Sequence, residues 1–138
     1  MSFTLAILKP DCVRRQLAGK AIAFIEEQGF RIVSLRMVHL HPEEAASFYS
    51  VHCGKEFFNG LLDFMTSGPC IPMVLEHEKA VEYFRQIIGA TDPRKAAEGT
   101  LRRKYAENVQ HNIVHGSDSE ENAKKEIAFF FSTMEIIK

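Results

Sequence analysis

The stretch Ser67-Gly68-Pro69-Cys70-Ile71-Pro72-Met73-Val74-Leu75-Glu76 decides the fold. Ser67-Gly68-Pro69 is a turn signal, and the apolar run after it has the length of a strand. Pro72 cannot donate to a ladder, so an edge position or a bulge is expected for it. Working backwards, residues 55–66 read as a helix, with Phe57, Leu61 and Phe64 spaced at four and three. His41-Pro42-Glu43-Glu44 opens another helix, running to about residue 50. It has an early proline and two carboxylates where the helix dipole favours them. Residues 30–40, rich in Ile, Val, Leu and Met, form a second strand. Residues 18–28 form a helix with Ala21, Ile22 and Ile25 on one face and Gly29 at its C-terminal cap. The run from Phe3 to Leu8 is a first, buried strand, stopped by Lys9-Pro10-Asp11.

Working forwards, residues 79–88 form an amphipathic helix that Gly89 ends, and residues 90–99 form a loop centred on Asp92-Pro93. Residues 101–107 make one or two helical turns. A short helix starts at Ser119, a good N-cap, and reaches about Glu126. The aromatic run 127–131 fits a last strand, and residues 132–138 a tail. The expected class is α+β, with helices on one face of a mainly antiparallel four-stranded sheet. Removing the helical pair between strands two and three leaves β-α-β-β-α-β, the ferredoxin-like arrangement. No repeat or linker divides the chain, so residues 1–138 are read as a single domain.

Composition narrows the function classes. Hydrophobic residues make up 46% and charged residues 25% of the chain, which excludes a disordered or disulfide-scaffold class. Lys plus Arg number 17 against 18 for Asp plus Glu, so the net charge of -1 gives no global pull toward nucleic acid or an anionic membrane. Cys12, Cys53 and Cys70 are odd in number and far apart, with no C-x-x-C pair, and read as reduced thiols. No run has the length of a signal peptide's apolar region or of a spanning helix, and a cytoplasmic protein is expected.

Familiar phosphate motifs are missing: there is no Walker A loop, no G-x-G-x-x-G after a strand, and no protein-kinase signature. His111 and His115 lie four apart, a zinc spacing on a helix, but β-branched Ile113-Val114 and then Gly116 oppose a helix there. The stretch Asn112-Ile113-Val114-His115-Gly116-Ser117-Asp118-Ser119 is the most informative for chemistry. Gly116 leaves space beside the imidazole for a bulky group, and Ser117 and Asp118 supply hydrogen-bonding groups. Glu126 can fold back to orient the ring and fix its tautomer. An oriented neutral imidazole is a competent nucleophile toward phosphorus. The same pattern also suits a histidine that merely satisfies a tight turn. Lys9, Arg85 and Arg102, with Arg14, Arg15, Lys95, Arg103 and Lys104, are either solvated cations or a phosphate site, depending on whether they converge on His115. Tyr49, Phe57 and Phe58 are either core or a stacking surface for a base, and Val109 is open in the same way.

Five segments in order carry a resemblance: Leu8-Lys9-Pro10-Asp11, Phe64-Met65-Thr66-Ser67-Gly68-Pro69, Gly89-Ala90-Thr91-Asp92-Pro93, Gly99-Thr100-Leu101-Arg102 and the His115 stretch. Over nearly its whole length the chain resembles the nucleoside diphosphate kinases. The resemblance implies transfer of the γ-phosphoryl group of a nucleoside triphosphate, typically ATP, to a nucleoside diphosphate, by a ping-pong route through phosphohistidine. On that resemblance His115 is the nucleophile, Glu126 and Ser117 orient it, and Lys9 completes the catalytic set. Lys9, Tyr49, Arg85, Thr91, Arg102 and Asn112 match residues that hold the phosphates and sugar, and Phe57 and Val109 match the pair that sandwiches the base. Leu61 and Gly116 are also expected beside the nucleotide. Mg²⁺ is the implied cofactor, with no direct protein ligand and Asp118 reaching it through water. A homo-oligomer, tetramer or hexamer, is implied as well. A base held by stacking alone predicts broad base specificity, in ribo- and deoxyribonucleotides alike. The competing readings are a catalytically silent nucleotide-binding or scaffold protein on the same fold, and a nucleic-acid-binding module, which the absence of a basic stripe weakens.

Overall fold

Leu5, Ala6, Ile7 and Leu8 are all fully buried, because their strand is central in the sheet and covered on both faces. A computed structural model describes residues 1–137. Strand β1 (Ser2–Leu8) pairs antiparallel with β3 (Ile71–His77), from Ser2 opposite His77 to Leu8 opposite Ile71. On its other side β1 pairs antiparallel with the short β4 (Val114–Gly116), placing Ile7 opposite His115. β2 (Arg31–Leu35) pairs antiparallel with β3, giving the order β2-β3-β1-β4. β1 and β2 therefore run the same way with β3 between them, which is the ferredoxin-like β-α-β-β-α-β topology expected from the sequence.

Helices cover both faces of this sheet, where the sequence reading expected one. Ala6 and Leu8 pack with Ala21 and Ile25 of α2 (Ala18–Glu27) and with Phe84 and Ile88 of α5 (Ala80–Ile88). Leu5 and Ile7 point the other way, onto Ala45 of α3 (Pro42–Phe48), Phe64 and Met65 of α4 (Phe58–Met65), and Phe130 of α7 (Glu120–Phe130). A strand whose residues are apolar on both faces needs cover on both, and the unbroken run Leu5-Ala6-Ile7-Leu8 carries that demand.

Three local assignments are corrected. Residues 127–131 are not the last strand: α7 runs on through Phe130, and Phe131 is its C-cap. Ser119 starts that helix by accepting from the Asn122 N–H at 3.0 Å. Ile127 and Phe130, three apart on one face, continue it into the core, and this packing overrides the strand preference of the aromatics. The last strand is instead β4, inside the stretch read as a turn around His115. Second, Pro10 and Asp11 do more than stop β1, since they begin a short helix α1 (Pro10–Arg14) with Pro in its first turn. Third, β2 is shorter than expected. Its ladder slips between Ile32 and Ser34, ends at Leu35, and is followed by a lone bridge from Val38 to Cys70. Pro72 sits in an inner strand, at neither an edge nor that slip. Its carbonyl accepts from the Arg36 N–H at 3.2 Å, so its missing donor faces the place where β2 is leaving the sheet.

α5 ends at Gly89, whose φ of 90° is in the region that favours glycine. A Cβ there would lie 2.5 Å from the Thr100 Oγ1. That close approach folds the loop at 90–99 back onto α6 (Leu101–Tyr105) and brings Arg102 toward β4.

Candidate active site

β4 is an edge strand, and its outward edge carries the cations. Arg102 donates from Nη2 to the Val114 carbonyl at 2.7 Å, and Arg85 from Nη1 to the Gly116 carbonyl at 3.5 Å. These carbonyls flank His115 and face away from β1. Two guanidinium groups from different helices are thereby held beside one histidine. Arg102 also donates from Nη1 to the Gly89 carbonyl at 2.9 Å, while its buried Nε has no partner. Burial, and then the nearby Arg85, lower the Arg102 pKa to about 10. A cation left this poorly solvated gains most when an anion arrives.

Lys9, at the end of β1, is 8% exposed and donates from Nζ to the Asn112 Oδ1 at 2.7 Å. Burial first, then Arg102, lower its pKa to about 8, and Asp11 opposes them. Asn112 is buried and donates from Nδ2 to the Thr91 carbonyl at 3.2 Å, tying β4 to the loop after Gly89. A cleft of about 300 Å³ is lined by Arg85, Gly89, Thr91, Thr100 and Arg102.

The imidazole is oriented from behind. His115 Nε2 lies 2.9 Å from the Glu126 Oε1, which also accepts from the Ser117 hydroxyl at 2.6 Å. Ser117 is itself fixed, its Oγ accepting from the Leu5 N–H at 3.3 Å. A carboxylate only accepts, so Nε2 carries the proton and Nδ1 keeps its lone pair. The edges of Phe48 and Tyr49 frame the ring, with centroids 5.7 and 6.5 Å away.

Other expected site residues have mixed placements. Phe57 and Val109 are exposed, at 51% and 53%, on segments that Gln110 draws together by donating from Nε2 to the Gly60 carbonyl at 3.5 Å. Tyr49 is buried, and its hydroxyl is sealed from solvent without a partner, which drives its pKa upward. Leu61 packs against the core on the α4 side of the sheet. The space expected beside Gly116 is already filled: a Cβ there would meet the Phe84 Cδ2 at 2.9 Å, so this glycine serves core packing. Asp118 is exposed, and the hydrogen bond from the Asn122 Nδ2 at 2.6 Å holds its carboxyl below the usual range. Among the described residues no group of three or more His, Cys, Asp or Glu side chains gathers to hold a metal. His111 packs edge-on against Phe64 and does not share a helical face with His115.

Two features of the site escaped the sequence reading. His52 stands beside it, its ring 5.2 Å from that of Phe57 and its Nδ1 3.4 Å from the Lys55 Nζ, and burial and then Lys55 lower its pKa. Ile113 is fully buried with φ of 64°, and the Val114 N–H donates to the Asn112 carbonyl at 2.8 Å across it, a γ-turn. A β-branched residue in this region is strained by about 1–3 kcal/mol. Nothing in the residue type announces such a conformation.

Comparison with known proteins sets this α+β sheet, with its cation-lined edge beside His115, in a class of nucleotide-handling phosphotransferases. The family profile described as nucleoside diphosphate kinase matches residues 2–136. The nucleoside diphosphate kinase of Chlorobium chlorochromatii is 56% identical over 138 residues, covering 100% of this chain and 99% of the relative. That of Salinibacter ruber is 52% identical over 134 residues, covering 97% and 94%. Among solved structures, the Aquifex aeolicus nucleoside diphosphate kinase superposes with a TM-score of 0.95 at 41% identity, covering 99% of both chains. The Halobacterium salinarum nucleoside diphosphate kinase in complex with CDP gives 0.95 at 39% identity, covering 99% of this chain and 91% of that one. The chain belongs to the nucleoside diphosphate kinase family.

Proposed function

We propose that this enzyme moves a γ-phosphoryl group from a nucleoside triphosphate to a nucleoside diphosphate through His115. The observation that carries the reading is the tether of Nε2 to Glu126. It leaves Nδ1 as the free nucleophile on a strand whose outer edge holds Arg85 and Arg102. The Nδ1 lone pair attacks the γ-phosphorus, the bond to the β–γ bridging oxygen breaks, and its electron pair leaves on the diphosphate. Glu126 stabilises the cationic ring by keeping the Nε2 proton hydrogen-bonded. In the second half-reaction a terminal oxygen of the acceptor diphosphate attacks the same phosphorus and the P–N bond breaks.

Transfer of this kind asks chiefly for positioning and for charge aimed at the transferring oxygens. Lys9 and Arg102, both desolvated, supply that charge, with Arg85 at the more open side. Asp118 offers an exposed carboxylate nearby, and no group of three or more ligand side chains gathers among the described residues, which suits Mg²⁺ carried on the nucleotide phosphates and met by the protein through a water. Mg²⁺ would supply further neutralisation of phosphate charge. The Lys9–Asn112 hydrogen bond supports their role at the sugar hydroxyls, and the exposure of Phe57 and Val109 supports a base held by its faces. Every base offers the same kind of π-face to such stacking, so broad base specificity is expected.

A homo-oligomer and a cytoplasmic location complete the reading. β2 is the other sheet edge, and Leu35 and Met37 beside it are 44% and 58% exposed, an apolar edge that a second copy can cover. No helix among the described residues is long and apolar enough to cross a membrane. Initial rates with ATP, magnesium and a series of ribo- and deoxyribonucleoside diphosphates test the activity. Parallel double-reciprocal lines and similar kcat/KM across bases are expected. Intersecting lines would mean direct transfer without an enzyme-bound phosphoryl group.

A further inference from the structure

We propose that Asp11 is a positioning residue for phosphoryl transfer: its carboxylate holds the left-handed turn at Ile113 that sets Asn112 and Lys9 against His115. Asp11 belongs to the first turn of α1 and is 2% exposed. Its Oδ2 accepts from the Ile113 N–H at 3.1 Å.

The sheet explains why a side chain is needed there. Lys9 and Ile113 occupy the next hydrogen-bonded pair of the β1–β4 ladder, and the Lys9 N–H donates to the Ile113 carbonyl at 2.8 Å. The reciprocal bond, from the Ile113 N–H to the Lys9 carbonyl, is not made: that carbonyl accepts from the Val13 N–H at 3.2 Å where the chain turns into α1, and the Ile113 N–H goes to Asp11 instead. The Asp11 carboxylate stands in for the diverted carbonyl. Without it a fully buried N–H would be unpaired at a residue already strained by its φ of 64°. Relaxation of that turn would move both neighbours. Asn112, just before it, holds the Lys9 ammonium, and Val114, just after it, is held by Arg102 and leads into His115. Among the described residues the other carboxylate oxygen, Oδ1, is buried with no hydrogen-bond partner and Asp11 makes no contact ion pair, although its charge favours the Lys9 ammonium, so the hydrogen bond to Ile113 is the direct contact of the group on this turn. Asp11 touches no substrate atom in this reading and acts through the backbone.

The inference rests on His115 as phosphoryl acceptor, and the test separates the two. Single-turnover phosphorylation by ATP and magnesium, followed by intact mass, is compared in the unaltered protein, Asp11→Ala, Ile113→Gly and the double variant, with circular dichroism confirming the fold. Asp11→Ala is expected to slow phosphorylation by about 100-fold, the scale of a misplacement of about 1 Å. In the Ile113→Gly background the same change is expected to cost under about 5-fold, because glycine takes a positive φ freely. An equal loss in both backgrounds, or no loss in either, overturns the proposal. Asp11→Asn keeps an acceptor oxygen and decides the matter if Asp11→Ala does not fold. At about pH 6, well below the Lys9 pKa of about 8 that the Asp11 charge helps to hold up, phosphorylation within about 5-fold of the unaltered rate is expected, since the acceptor then matters rather than the charge. A folded Asp11→Asn protein slowed by about 100-fold overturns it. No phosphorylation of the unaltered protein would overturn the His115 reading, and this one with it; phosphorylation that Asp11→Ala leaves unchanged would overturn this one alone.

Discussion

Under the proposed mechanism Lys9 works as an ammonium, in surroundings that favour its loss. Burial and Arg102 bring its pKa to about 8, so the charged form dominates below that pH and disappears as the pH rises through it. For the free enzyme, kcat/KM should therefore fall tenfold per unit above about pH 8. A pH–rate profile flat to about pH 10, the ordinary lysine range, would mean that Lys9 is not needed as a cation. His115 stood out in the sequence through the resemblance that its stretch carries, since the residues alone also suited a histidine in a tight turn. Convergence of the cations was not legible. Arg85 and Arg102 come from separate helices and meet at the free carbonyls beside His115, a relation fixed by the pairing of β4 with β1. Ile113 was illegible for a different reason. Its conformation is imposed by an acceptor on α1, the Asp11 carboxylate, and by a donor just after β1, the Lys9 N–H, against its own preference.

Among the elements, β4 and α7 show where local reading fails. A three-residue strand carries too little pattern to announce itself, and the aromatic run at 127–131 has strand propensity in a segment that tertiary packing keeps helical. Gly116 links β4 to α5 through contact rather than flexibility. Gly116→Ala should destabilise the protein by about 1–3 kcal/mol, the usual result of overpacking a filled core. Its Cβ meets the Phe84 ring at 2.9 Å and the Ile88 Cδ1 at 3.2 Å, and neither can withdraw without moving the sheet face. Urea unfolding with an unchanged m-value and a lower midpoint checks this. An unchanged midpoint would return Gly116 to the nucleotide-facing role that the sequence suggested.

On the scale of the whole molecule, the order of strands and helices as far as residue 105 was readable, the short α1 apart, because its buried runs end at turn signals, whereas the last strand and helix were read in reverse order. The two-sided cover was less visible. It follows from the alternation within β1, where Leu5 and Ile7 face one set of helices and Ala6 and Leu8 the other. The same central strand ends in Lys9 and pairs with His115, so the most buried element also sets the reactive geometry. The central claim, a covalent phosphoryl group on His115, has one direct test. Intact mass is measured after brief incubation with ATP and magnesium, then again after excess GDP, for the unaltered protein and for His115→Ala. The account predicts a gain of one phosphoryl group that GDP removes and that His115→Ala never shows. A gain that persists in His115→Ala, or transfer to GDP with no gain at all, would contradict it.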